Sequence, residues 1–255
     1  MKANHEYVLR KCNLLVGDNA RVLDYGCGKG IIVEEGIKRG IDFLGVEAYA
    51  FGSGTNIKKV VENSDVLRNR IRELDIEENI IPFPEKHFDL VVSNQVFEHV
   101  VDMDTAIKEI KRVLKEDGKV LFIFPSKECW REGHCGVYFA HWMPKCRLRY
   151  YWLLLNRLVG VGRLKRGRTR RQWADFFNNW LVDSVTYRKI SEIHSLMNSH
   201  YSDLQHLEDD YLSFRLSRAN FTKIAQFSKV YPFALISNFI VRKRGSLVIV
   251  AHNSI

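Results

Sequence analysis

Residues Val22-Leu23-Asp24-Tyr25-Gly26-Cys27-Gly28-Lys29-Gly30 restrict the fold more than any other stretch of the chain. An apolar run ends in an acid, and three glycines then alternate with other residues before the helical pattern of 31–38. Glycine takes up the left-handed backbone readily, so this spacing makes a tight strand-to-helix turn whose amides are open to a ligand. The third glycine comes one residue earlier than in the dinucleotide fingerprint G-x-G-x-x-G, and Asp24 precedes the first. A carboxylate at that point repels a pyrophosphate and suits an ammonium group. The turn therefore fits a cofactor with a cationic amino-acid end and a ribose end.

Short apolar runs alternate with helical patterns through the first half, the rhythm of βα units over a parallel sheet. Strands are expected at 21–25, 43–47, 88–93 and 119–124. Asp102 or Asp104 is expected to cap a helix that turns Ala106, Ile107, Ile110, Val113 and Leu114 inward and ends at Asp117-Gly118. After Pro125 the alternation of strand and helix breaks, and residues 127–180 read as a helical, aromatic and basic insertion over the sheet's carboxyl edge, where α/β proteins bind ligands. Residues 186–198 look helical, 204–216 contain a strand pattern, and Ser246–Ala251 reads as a buried strand. The expected organisation is α/β: a Rossmann-like core at 1–126, an insertion or lid over an acceptor site at 127–185, and a C-terminal completion of the sheet at 186–255.

Further motifs follow the glycine turn in order. They are Gly45-Val46-Glu47, then Ile81-Pro82-Phe83-Pro84, then Phe88-Asp89-Leu90-Val91-Val92-Ser93, then Glu98-His99-Val100. Over about 20–126 the chain resembles the class I S-adenosylmethionine-dependent methyltransferases, in particular the methyltransferase-11-like group. The resemblance implies S-adenosylmethionine as cofactor and a mostly parallel Rossmann-like sheet with an antiparallel last strand. Carried over by position, Asp24, Gly26 and Gly28 would hold the methionine part, with Gly30 allowing close helix packing. Glu47 would take both ribose hydroxyls. Asp75 or Ile76 would lie beside adenine, with Glu77 as the alternative, and Asn94 and Gln95 would line the reacting side.

Methyl transfer from a sulfonium is largely a matter of positioning, but a hydroxyl acceptor benefits from a base. The histidine candidates are His99, at the right sheet edge, and His134 and His141, at the start of the insertion. Cys129, His134, Cys135, His141 and Cys146 lack the closely paired spacing of a structural zinc site, so no metal is expected. The five cysteines form an odd set without a CxxC pair, and reduced thiols are expected.

Charge separates the halves. Residues 1–125 carry 18 basic and 21 acidic side chains, net −3, whereas 126–255 carry 21 and 9, net +12. No acid stands between Glu132 and Asp175, where ten Lys and Arg residues gather, including Arg163, Arg166, Arg168, Arg170 and Arg171. Such a field attracts phosphate, nucleic acid or anionic lipid. The second half also resembles methyltransferases of bacterial surface-polysaccharide assembly, which implies O-methylation of a sugar or an anionic, lipid-linked saccharide. Another small-molecule hydroxyl or amine is the alternative acceptor. An RNA-binding methyltransferase is the weaker competitor, since Ser93-Asn94-Gln95-Val96 stands where an amino-methylating motif is expected. No apolar run approaches the roughly 18 residues of a membrane span. A cytoplasmic protein is expected, with peripheral membrane contact through the basic insertion. Tyr150 to Leu155, flanked by arginines, reads as an interfacial helix or as core.

Overall fold

The apolar runs of the first half become neighbouring strands because each is buried on both faces, the condition of a parallel sheet covered by helices. The computed structural model describes residues 1–17, 19–50 and 54–253. In chain order the elements are α1 (Ala3–Leu15), β1 (Arg21–Tyr25), α2 (Ile31–Lys38), β2 (Asp42–Glu47), α3 (Gly54–Glu62), β3 (Ile71–Glu73), β4 (Phe88–Asn94), α4 (Met103–Val113) and β5 (Leu114–Phe124). They continue with α5 (Arg147–Leu158), α6 (Arg170–Asp183), α7 (Ile190–His200), β6 (Tyr201–His206), α8 (Glu208–Arg218), α9 (Thr222–Phe227), α10 (Phe233–Lys243) and β7 (Leu247–Asn253).

The sheet has seven strands in the order β3-β2-β1-β4-β5-β7-β6. β1 to β5 are parallel, and β7 runs antiparallel to both β5 and β6. Strand order reverses between β1 and β4, and the crevice beyond their carboxyl ends is where such sheets bind ligands. One apolar layer gathers α4 and α7 against one face of the sheet, and a second gathers α1 and α2 against the other, with Tyr211 of α8.

Three expectations change. The helix after β4 is capped by Asp102, whose side chain accepts from the Thr105 amide, but it ends at Val113. Leu114 is already extended and pairs with Phe88, so the chain enters β5 before Asp117-Gly118. The strand expected within 204–216 is Tyr201–His206, and the rest of that stretch is α8; the helix expected from 186 starts at Ile190. The helical insertion expected after β5 is present. α5 and α6 pack around a core of their own, in which Leu153, Trp173 and Phe177 are fully buried beside Cys135 and Val137. Thr169 and Gln172 close a capping box that starts α6. Leu153 is the inward side of the aromatic stretch, whereas Tyr151 and Leu155 face outward.

Candidate active site

The turn after β1 is built as its glycines require. Gly26, Gly28 and Gly30 have φ of 75°, 57° and 73°. A Cβ on Gly26 would come within 2.4 Å of the Val96 side chain, and one on Gly30 within 2.6 Å of Ile71. Both positions exclude a side chain, one against the loop after β4 and the other against β3. The Gly28 amide donates to Glu47 Oε2 at 2.7 Å, which joins the turn to the end of β2.

These elements floor a cleft of about 920 Å³. Asp24, Gly26, Gly28, Glu47, Asn94, Gln95 and His99 all line it, as does Ile76. Asp75 does not: its carboxylate accepts from the Glu77 and Glu78 amides and holds its own turn. Glu47 already spends one oxygen on Gly28, so it meets the cleft less freely than a carboxylate reserved for two ribose hydroxyls.

Asp24 is 2% exposed, and its Oδ2 has no hydrogen-bond partner. An unpaired buried carboxylate is costly, and burial, with Glu47 nearby, pushes its pKa up to about 8. A cationic group delivered into the cleft would satisfy it. The donor set thus fits S-adenosylmethionine: a carboxylate for the ammonium, a second for the ribose, and Leu74 and Ile76 as apolar walls for a base.

His99 also lines the cleft. Its Nδ1 lies 2.7 Å from the Ser184 carbonyl, which can only accept, so Nδ1 carries the proton and Nε2 is left as an acceptor. Burial lowers its pKa, which keeps the ring neutral near pH 7. His134 does not line the cleft but packs edge-on to His99 at 5.1 Å and against Trp180 at 4.4 Å. Its Nδ1 meets Glu132 Oε1 at 2.8 Å, and Tyr187 donates to the same oxygen. Glu132 is fully buried; burial opposes its charge, but hydrogen bonds and the field of His134 prevail and hold its pKa well below the usual range. Next to this pair Glu98, whose Oε2 is buried without a partner, is pushed up to about 7 by burial. Glu98, His99 and His134 bring ligand atoms within 4.8 Å of one another, the one group of three metal-type donors among the described residues. His141 lies elsewhere, with Nε2 near the Lys127 carbonyl and the Cys129 thiol.

No residue of 127–180 lines the cleft. The wall that sequence patterns left out is α1. Lys2, Asn4 and His5 line the cleft, and Asn4 donates to Asn94 Oδ1 at 3.2 Å. The apolar spacing of Val8, Leu9 and Cys12 ahead of β1 was the available signal.

Residues 23–122 match the family model described as a methyltransferase domain. They form a methyltransferase domain. Ubiquinone biosynthesis O-methyltransferase of Bradyrhizobium diazoefficiens is 29% identical over 203 residues, covering 72% of this chain and 74% of that one. The protein of that name from Bartonella quintana is 30% identical over 139 residues, covering 52% and 53%. For most of the curated relatives it matches, the chain spans about half their length. The fold is that of class I S-adenosylmethionine methyltransferases. Geranyl diphosphate C-methyltransferase from Streptomyces coelicolor, solved with Mg2+, geranyl diphosphate and S-adenosyl-L-homocysteine, shares it with a TM-score of 0.52 at 16% identity. That likeness covers 99% of this chain and 80% of that one. The sequence relatives carry names from ubiquinone biosynthesis, not from surface-polysaccharide assembly.

Proposed function

We propose that the protein is an S-adenosylmethionine-dependent O-methyltransferase acting on a hydroxyl of an apolar small molecule, with His99 as general base. The observation that carries the reading is one cleft lined by both an unsatisfied carboxylate, Asp24, and a neutral imidazole, His99. Asp24 and Glu47 would hold the cofactor's ammonium and ribose, Gly26 and Gly28 its backbone-facing side, Leu74 and Ile76 its base, and Asn94 and Gln95 its reacting side. Bound there, the cofactor supplies a methyl group on a sulfonium. The chain's own work is to orient the acceptor, exclude water and remove a proton. His99 Nε2 takes the hydroxyl proton while Ser184 fixes the tautomer. The Glu132 charge, relayed by contact through His134, favours the imidazolium so formed.

Apolar side chains line part of the cleft: Val96, Val100, Val101 and Ile57 are among them, and among the described residues its only Lys or Arg are Lys2 and Lys29. Such walls suit a hydrophobic ring better than a saccharide diphosphate, and the names of the sequence relatives agree with oxygen as the acceptor atom. The saccharide reading rests on the resemblance of the second half and on its charge, and membrane contact through the 163–171 loop on charge; no arginine of that loop lines the cleft.

Labelled methyl transfer into phenolic, saccharide and RNA fractions tests the acceptor. Incorporation into phenols is expected. His99→Ala should lower kcat about 10²- to 10⁴-fold with cofactor affinity nearly unchanged. Unchanged kcat would remove His99 as the base, and calorimetry showing no cofactor binding by the wild type would end the enzyme reading.

A further inference from the structure

Two helices near the C-terminus fold with their large apolar residues outward. On α10 the buried side chains are Ser237 and Val241, whereas Phe233, Leu235, Ile236, Phe239 and Ile240 are exposed. On α9 Ala225 is buried, and Phe221, Ile224 and Phe227 face out. The two helices are joined by small groups. Ser237 Oγ lies 2.8 Å from the Ser228 carbonyl, and Ser228 Oγ and Ser213 Oγ both donate to the Ala225 carbonyl. Contact through serine and alanine, with phenylalanine and isoleucine outside, is how helices pack in a lipid environment and the reverse of a water-facing surface.

The patch continues beyond the helices. Trp130 sets its ring 5.9 Å from that of Phe239, and Tyr231, between α9 and α10, is 78% exposed. Aromatic residues of this kind settle at the headgroup level of a bilayer. Among the described residues no helix is long and apolar enough to cross a membrane, and α10, with 11 residues, spans only about 16 Å. The geometry is that of helices lying in the interface plane.

Charge decides what covers the patch. After Asp210 the chain has no Asp or Glu, and it carries Arg215, Arg218, Lys223, Lys229, Arg242, Lys243 and Arg244. Of the acids just before it, Asp210 is paired with Lys11 and Lys229 and Glu208 with Arg242. Among the described residues no carboxylate pairs with Lys223, Lys243 or Arg244. Two copies meeting here would oppose like charges, whereas anionic headgroups would neutralise them. We propose that α9 and α10, with Trp130 beside them, dock the protein on an anionic phospholipid bilayer.

Helix α8, on which α9 and α10 pack, touches a residue that lines the cleft. Tyr211 of α8 donates to Asn4 Oδ1, and Asn4 in turn reaches Asn94. The docking itself is independent of the methyl-transfer reading.

Flotation of the full chain without cofactor tests it, on vesicles of phosphatidylcholine alone and of phosphatidylcholine mixed with phosphatidylglycerol. The wild type should float with the mixed vesicles and be released by salt. Leu235→Asp with Phe239→Asp should bind at least about tenfold less while keeping the circular dichroism and thermal midpoint of the wild type, since both side chains are exposed. Lys223→Gln with Arg244→Gln should lose the preference for the mixed vesicles. Failure of the wild type to float, or equal flotation of the aspartate variant, would overturn the proposal. So would a concentration-dependent dimer that forms without lipid binding and is abolished by the same aspartates, which would make a second copy the occupant.

Discussion

Helices α4 and α10 each have 11 residues and an apolar face, and they use it in opposite ways. α4 buries Met103, Ala106, Ile107, Ile110 and Val113 against the sheet, and of its charged residues Lys108 lies exposed while Glu109, Lys111 and Arg112 bond neighbouring backbone. α10 turns a serine and a valine inward and leaves five large apolar side chains outside. Hydrophobic period tells that a helix has two faces, not which medium each will meet. The contrast extends to the two halves of the chain: the first closes on itself around an acidic cleft, and the second places apolar and cationic groups together on its exterior.

The strongest test compares the two helices directly. Ile110→Ala should cost about 2 to 5 kcal/mol in urea unfolding, because it opens a cavity in the core. Ile236→Ala should stay within about 0.5 kcal/mol, as befits an exposed position. A cost at Ile236 matching that at Ile110 would mean that α10 packs inward in solution, and the contrast would fail.

The acidic half predicts a smaller effect in the cleft. Glu47→Ala should weaken cofactor binding by about 1.5 to 3 kcal/mol, the worth of a charged hydrogen bond. Asp24 adds a pH dependence of known sign. Its folded pKa, raised by burial to about 8, stands above the ordinary value of about 3.9. Across that window the folded chain keeps a proton that the unfolded chain has lost, so this group makes stability fall as pH rises. Binding of an ammonium favours the ionised form, so affinity should climb toward pH 8, with a proton released, and then level. Calorimetry in buffers of different ionisation enthalpy measures that proton, and Asp24→Asn should abolish it. A proton released equally by the variant would assign the effect to another group.

The smallest effect is expected at the basic loop. Replacing Arg166, Arg168, Arg170 and Arg171 with Gln should leave cofactor affinity within about twofold, since none of the four lines the cleft and charge is screened beyond roughly 8 Å. It should also disturb vesicle flotation less than the aspartates on α10. The reverse ranking would move the membrane-facing surface to the insertion.

Much of the first half was legible because its signals are local. The turn from Asp24 to Gly30 is a run of seven residues whose steric demands are written in glycine, and the strands at 21–25 and 88–94 are continuous apolar runs. The end of α4 was misjudged because Asp117-Gly118 looks like a stop signal, while Leu114 had already been drawn into β5 by pairing with Phe88. The meeting of His99 with His134 and Glu132 is a tertiary event across more than thirty residues, and no spacing rule reaches that far. Asp75 was assigned to the cleft by position, yet a carboxylate that can bond two amides within its own turn does so first. Residues 217–245 carry no motif, and the pattern of α10 alone would suit a buried helix.

The loop that carries His99 has little secondary structure of its own, and the segment after α6 ties it down. Thr186 donates to the Glu98 carbonyl, Arg188 reaches the carbonyls of Phe97, Val100 and Val101, and Ser184 holds the imidazole. The insertion and the methyltransferase domain are therefore not interchangeable modules. A chimera that grafted another relative's insertion onto this sheet, meant to alter acceptor choice alone, would also release the proposed base from its tautomer, so specificity and reactivity would have to be inherited together.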